Sequence, residues 1–259
     1  MLVDTHCHLH FDAFDADREA VIQRAQDFGV KFLVNVGTDL KTNEAAWRLS
    51  KSYPFMVNTA GLHPHHAHEI SDEAFKTLEA FVADAKPAAI GEIGLDYFKS
   101  QAPPEAQKKA FARMLRLAAD HGLPVIVHSR NAFEDTLAIL KSEGGDRLRG
   151  VVHCFSYDRE ALKKLLDFGF LVSFTCNLTF KNAAALLGTA CAAPLDRMML
   201  EKDSPYLAPQ IYRGKRNEPC CLTHLADFLS EKRGIDRKIL EDTTTRTAAA
   251  FFKLPLFSS

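Results

Sequence analysis

Strand-like and helix-like runs alternate eight times along this chain, at roughly 30 residues per unit, the repeat size of a (β/α)8 barrel. Residues 2–6, 32–36, 55–60, 88–93, 124–128, 150–155, 170–175 and 197–203 are short strand-like runs, most of them predominantly apolar. That pattern belongs to parallel strands covered on both faces. Between them the apolar residues fall at helical spacing, over 15–28, 41–51, 72–85, 132–143, 159–168 and 181–192, with a long helix from Pro103-Pro104 to His121. Two closing helices span 218–232 and 237–252. Ser71 is placed as an N-cap, and Gly122 and Gly144-Gly145 as stops. An open, doubly wound sheet is the structural competitor. It needs a glycine-rich phosphate turn after the first strand, where this chain has His6-Cys7-His8. The predicted fold is therefore α/β, a (β/α)8 TIM barrel. No linker or low-complexity block interrupts it, so residues 1–259 are expected to form a single domain.

Charge narrows the function. Lys and Arg number 32 against 33 Asp and Glu, a formal net charge of -1. A general electrostatic nucleic-acid binder is more basic than this, so any phosphate contact has to be local. The six cysteines contain no CxxC pair and are expected to be small, mostly buried and reduced. With no signal-peptide pattern and no apolar run long enough to span a bilayer, no membrane association is expected and the expected compartment is the cytoplasm.

The chemistry is written at the strand ends. Gly91-Glu92-Ile93-Gly94-Leu95-Asp96-Tyr97 places a carboxylate inside an apolar run, which is costly unless that carboxylate is paired or binds a metal. Four other runs also end in His or acid, at His6, His128, His153 and Asp203. In a barrel, strand C-termini converge on one mouth. Alternation along an extended chain puts His6 and His8 on one face and Cys7 on the other. Glu92, His128, His153 and Asp203 join them, giving six nitrogen or oxygen ligands from five strands. Such a set can hold two divalent ions with open positions: Zn2+, Mn2+ or Fe2+, or Mg2+ where phosphate oxygens complete its shell.

His6-Cys7-His8, Gly61-Leu62-His63-Pro64, the Gly91–Tyr97 run, Val127-His128-Ser129-Arg130, His153-Cys154-Phe155, Asp203-Ser204-Pro205 and Arg213-Gly214-Lys215-Arg216-Asn217-Glu218-Pro219 together resemble the TatD family of metal-dependent hydrolases, in order and over nearly the whole chain. The resemblance implies a divalent-metal-dependent deoxyribonuclease, a 3′-to-5′ exonuclease preferring single-stranded DNA. By position it implies that His6, His8, Glu92 and Asp203 hold one metal and that Glu92, His128 and His153 hold the second. One departure is visible: the family usually has Thr before Asp-Ser-Pro, and this chain has Lys202. Alternation turns Lys202 toward the helix layer, where its ammonium can snorkel to the rim; bent instead toward the metals, it would weaken cation binding by repulsion and add a phosphate contact.

Asp203 is the candidate general base for a metal-activated water, with Glu92 the other catalytic carboxylate. His63 is a candidate hydrogen-bond donor to the scissile phosphate, or a capping histidine. His65, His66 and His68 are expected to be solvated. Arg130 can clamp a phosphate or pair with a carboxylate. Arg213, Lys215 and Arg216 concentrate positive charge after the eighth strand, where barrels often bind phosphate. Tyr97, Phe98 and Tyr206 can stack on bases. No G-x-S-x-G elbow is present, and Cys7 and Cys154 are expected to point outward. The rival functions are an ester or amide hydrolase on the same metals and a non-catalytic nucleic-acid binder. A monomer is the default expectation.

Overall fold

A computed structural model describes residues 1–69, 71–144 and 148–255. Gly145, half of one expected helix stop, lies outside them. The elements are β1 (Leu2–Cys7), α1 (Arg18–Asp27), β2 (Val30–Val36), α2 (Leu40–Lys51), β3 (Met56–Thr59), α3 (Asp72–Ala85), β4 (Ile90–Asp96), α4 (Pro104–His121), β5 (Val125–Arg130), α5 (Phe133–Ile139), β6 (Gly150–Val152), α6 (Arg159–Asp167), β7 (Leu171–Phe174), α7 (Ala184–Ala192), β8 (Met198–Leu200), α8 (Leu222–Arg233) and α9 (Arg237–Phe252). This is the (β/α)8 element order with one additional closing helix. Internal contacts divide the chain into two units: Met1–Asn35 with Cys154–Ser259, and Val36–His153.

In the first unit β1 runs parallel to β2, with Val3 beside Phe32 and Asp4 beside Leu33. β7 runs parallel to β8, with Phe174 beside Leu200. The end of β1 also meets the chain leaving β8. Cys7 bridges Ser204 in parallel, the Thr5 hydroxyl donates to the Leu200 carbonyl at 3.1 Å, and the Asp203 N–H donates to the His6 carbonyl at 2.8 Å. The strand order is β2-β1-β8-β7. A first strand lying beside the last is the pairing a barrel requires, and open doubly wound orders lack it. α9 is tied to the chain start through Thr245, whose hydroxyl donates to the Met1 carbonyl at 2.9 Å.

In the second unit Ala60 bridges Ile90, and β4, β5 and β6 run parallel in that order. Val125, Ile126 and Val127 are buried on both faces, as their unbroken apolar run predicts. α4 buries Ala110, Phe111, Met114, Leu115, Leu117 and Ala118, a stripe at helical spacing. Ser71 caps α3 by accepting the Ala74 N–H at 3.1 Å, and Asp39 and Thr42 close a capping box on α2.

Gly94 sets how closely β4 approaches β5. It pairs with His128 in register, has φ 135°, and a Cβ placed on it would lie 2.0 Å from the His128 carbonyl oxygen. Gly94→Ala should therefore cost roughly 2–5 kcal/mol, from a left-handed backbone and a backbone clash together. The check is the urea midpoint, which should fall at unchanged m value. A midpoint equal to wild type would contradict so close an approach.

Several boundaries differ from expectation. Helix 132–143 ends as a helix at Ile139 and continues as a π turn over Leu140–Gly144. α8 begins at Leu222 because Pro219–Cys221 forms a separate 3-10 turn. β6 and β8 stop at Val152 and Leu200, short of the expected ends. Just beyond, Cys154 and Asp203 adopt φ 45° and 51°, which breaks the ladder and re-aims the chain where the site residues lie.

Candidate active site

The first unit gathers His6, His8 and Asp203, whose ligand atoms all lie within 4.8 Å of one another. His6 and His8 are two residues apart at the end of β1, so their rings share a side, with Nε2 atoms 3.2 Å apart. Cys7 faces the other way and its thiol donates to the Val34 carbonyl at 3.3 Å. His8 Nε2 lies 3.6 Å from Asp203 Oδ1, and Phe11 stacks on the His8 ring at 4.7 Å. Asp4 was not singled out in the sequence, yet it organises this cluster. Its Oδ1 accepts the N–H groups of His6 at 3.2 Å and Lys202 at 2.9 Å, so one carboxyl fixes both backbones that carry ligands. Burial pushes the Asp4 carboxyl well above its ordinary range, against the pull of those bonds. The available signal was an acid inside the apolar run two residues before His6.

The second unit centres on Glu92, which is 3% exposed. Its Oε1 lies 2.8 Å from His128 Nδ1, 2.8 Å from His153 Nε2 and 3.3 Å from His63 Nε2. His128 Nδ1 and His153 Nε2 are 3.2 Å apart. Asp96 stands behind His128, with Oδ2 3.3 Å from its Nε2 and 3.1 Å from His65 Nε2. The Phe98 and Lys99 N–H groups hold Asp96 Oδ1 at 2.8 and 2.7 Å. Burial works to raise the Asp96 carboxyl, but His128 and these two N–H groups outweigh it and hold it well below its usual range. Asp96 belongs to the Gly91–Tyr97 run, but its role shows only once β5 brings His128 alongside. His65, expected to be solvated, is half-buried against it.

A neutral imidazole carries one N–H. If His128 donates to Asp96 through Nε2, its Nδ1 lone pair faces a carboxylate oxygen at 2.8 Å, an arrangement that needs a cation or a second ring proton. Burial disfavours the charged ring, but Asp96 and Glu92 outweigh it and raise the His128 pKa. The residues thus fit a divalent cation. His63 differs: its Nδ1 accepts the His65 N–H at 3.2 Å, which leaves Nε2 as the donor toward Glu92. Burial holds His63 down to about 4 despite Glu92, so it is a neutral donor near pH 7.

An outer carboxylate that fixes a ligand ring typically contributes 10- to 100-fold to metal affinity. Asp96→Asn should weaken Mn2+ or Zn2+ binding at the Glu92 set by about that factor, measured by competition with a calibrated chelator. An unchanged constant would remove Asp96 from this role.

The expected substrate contacts divide. Arg130 lies with its guanidinium 4.2 Å above the Phe98 ring. The Tyr97 hydroxyl donates to Asp135 at 2.7 Å, and burial and that carboxylate push it up to about 12. Arg213 covers the Phe180 ring at 3.9 Å, and Lys215 lies 5.9 Å from the Tyr212 ring. Arg216 is a correction: its guanidinium is taken up by Asp17 at 2.7 and 2.8 Å, Glu218 at 2.9 Å and the Ala13 carbonyl at 2.6 Å. A bidentate pair with two carboxylates nearby leaves it little reason to bind a phosphate. Phe98 and Tyr206 are exposed. Asn217, not singled out, donates to the Lys202 and Tyr206 carbonyls at 2.7 and 2.5 Å and so fixes the loop after Asp203. The cysteines are all free, but only Cys7 and Cys176 are buried. Among the described residues no helix is long and apolar enough to cross a membrane.

A family model described as TatD related DNase matches residues 3–253. A Bacillus subtilis (strain 168) protein named "Uncharacterized metal-dependent hydrolase YabD" is 36% identical over 254 residues, covering 98% of this chain and 100% of that one. A Cronobacter sakazakii protein named "3'-5' ssDNA/RNA exonuclease TatD" is 35% identical over 259 residues, 97% of each chain. The crystal structure of YjjV, a TatD homologue from Escherichia coli K12, matches with a TM-score of 0.93 at 28% identity over 98% of both chains. With the element order, this establishes a TIM-barrel-like α/β fold and a metal-dependent hydrolase.

Proposed function

This chain belongs to the TatD family of metal-dependent hydrolases, and we propose that it hydrolyses phosphodiester bonds in single-stranded DNA or RNA from the 3′ end, as one cytoplasmic, monomeric 1–259 domain. The observation that carries this reading is a buried histidine–carboxylate set in each unit, within a family that includes a relative named as an exonuclease.

His6, His8 and Asp203 hold one divalent ion, and Glu92, His128 and His153 hold another; Mg2+, Mn2+ and Zn2+ are the candidates. Bound ions supply a water of lowered pKa and a Lewis acid for a phosphoryl oxygen. The chain's own groups do the rest. Asp203, with a side chain 16% exposed against 3% for His8, accepts the proton of the attacking water. His63, neutral with its proton on Nε2, donates to a non-bridging phosphate oxygen. Arg130, Arg213 and Lys215 neutralise flanking phosphates, while Phe98, Tyr97 and Tyr206 present faces for bases.

Charge reversal of Arg213 and Lys215 together should raise KM for single-stranded DNA by about 10-fold and flatten its salt dependence, because two phosphate contacts are lost. The same change at Arg216 should instead lower stability by breaking its pairs with Asp17 and Glu218. An unchanged KM and salt slope in the double variant would remove both residues from the substrate path.

The reaction class is tested by offering metal-loaded protein a 5′-labelled single-stranded DNA beside an aminoacyl ester and an amide. A ladder shrinking from the 3′ end is expected. Turnover of the ester or amide with DNA intact, while ions are bound, would make this an ester or amide hydrolase.

A further inference from the structure

Lys202 does not snorkel. It is completely buried, one residue before Asp203, and its Nζ lies 2.6 Å from Cys176 Sγ. N–H···O bonds run about 2.7–3.2 Å, and sulfur is the larger acceptor, so N–H···S bonds are longer. Other nitrogen–sulfur contacts in this chain follow that rule, at 3.4 Å for Arg233 with Met198 and 3.9 Å for Asn177 with Cys154. The Lys202–Cys176 pair is closer than a hydrogen bond requires. It is at the separation that a single bridging oxygen spans between nitrogen and sulfur. Cys176 is itself fully buried, at the start of the 3-10 turn Cys176–Thr179 that follows β7. Asp4 borders this pocket: one of its carboxyl oxygens takes the Lys202 N–H, and the other has no hydrogen-bond partner among the described residues.

We propose that Lys202 Nζ and Cys176 Sγ form an oxidative cross-link site, closing to a lysine–oxygen–cysteine (N–O–S) bridge with dioxygen as oxidant. Dioxygen is small and apolar enough to enter a buried site. The thiol adds dioxygen to give S–O–OH. The lysine amine then attacks the sulfur-bound oxygen, the O–O bond breaks, and the leaving hydroxide takes a proton from nitrogen as water. The sum is Lys–NH2 + Cys–SH + O2 → Lys–NH–O–S–Cys + H2O, with sulfur and nitrogen oxidised and dioxygen reduced. Fixed proximity makes the second step intramolecular. It diverts Cys176 from the sulfenic-to-sulfinic path that an isolated buried thiol would follow. The bridge ties the turn after β7 to the backbone that presents Asp203. This proposal does not depend on the nuclease reading.

A second thiol tests it. Cys221 lies near enough to Cys176 and Lys202 to interact electrostatically with both, so a Cys176–Cys221 disulfide is the competing product. The full chain, purified without oxygen, is held in oxygen-saturated buffer and mapped by peptide mass spectrometry. The peptides carrying Cys176 and Lys202 should emerge joined, ~14 Da heavier than their sum for one oxygen gained and two hydrogens lost, and should separate with dithiothreitol. Cys176→Ser and Lys202→Met should abolish the joined species, and the wild-type result stands whether or not either variant folds. Cys176 recovered unjoined, as thiol or sulfinic acid, or joined to Cys221, would overturn the proposal.

Discussion

Asp203→Asn is expected to lower metal-dependent phosphodiester cleavage by about 10³-fold, the scale of a lost general base, with the melting midpoint near wild type. The fold should survive because the Asp203 backbone does the structural work. Its N–H bonds the His6 carbonyl at 2.8 Å, and its φ of 51° is one that asparagine also tolerates. The substitution keeps size and shape and removes the charge that accepts a proton. Single-turnover cleavage on 5′-labelled DNA reads the chemical step. Activity within 10-fold of wild type, in protein free of wild-type carry-over, would remove Asp203 from the role of base.

Glu92→Gln carries the second large effect. One Glu92 oxygen faces three imidazole nitrogens at 2.8, 2.8 and 3.3 Å. An amide would remove a carboxylate charge in direct contact with His153 and leave His128 Nδ1 facing a neutral group. Loss of a direct ligand should exceed the 10- to 100-fold typical of an outer partner. Binding at this set should therefore weaken by more than about 100-fold, and cleavage should fall to background. Equilibrium dialysis reads the first effect and the DNA ladder the second. Wild-type affinity would show that the site does not depend on Glu92.

Much of this was legible in the chain. The alternation of apolar runs and helical stripes set the (β/α)8 class, because parallel strands and amphipathic helices have distinct periods. His6 and His8 on one side of β1 follow from alternation alone. Other features were not legible because they depend on contacts between residues far apart in sequence. Asp96 meets His128 only through the β4–β5 register, and Asp4 meets Lys202 across 198 positions. Arg216 looked like part of a basic loop until Asp17, 199 positions earlier, occupied it. Lys202 looked like a residue bound for the rim, since a lone lysine is rarely buried. Its partner Cys176 carries no sequence signal.

If the histidine–carboxylate sets make this chain a metal-dependent phosphodiesterase, cleavage of 5′-labelled single-stranded DNA by chelator-stripped protein, with Mg2+, Mn2+ and Zn2+ restored separately and Glu92→Ala alongside, reads it without intermediate steps. No cleavage is expected without metal, a 3′-to-5′ ladder when a metal is returned, and none from Glu92→Ala. A ladder that persists in chelator, or one that Glu92→Ala still produces, would contradict it.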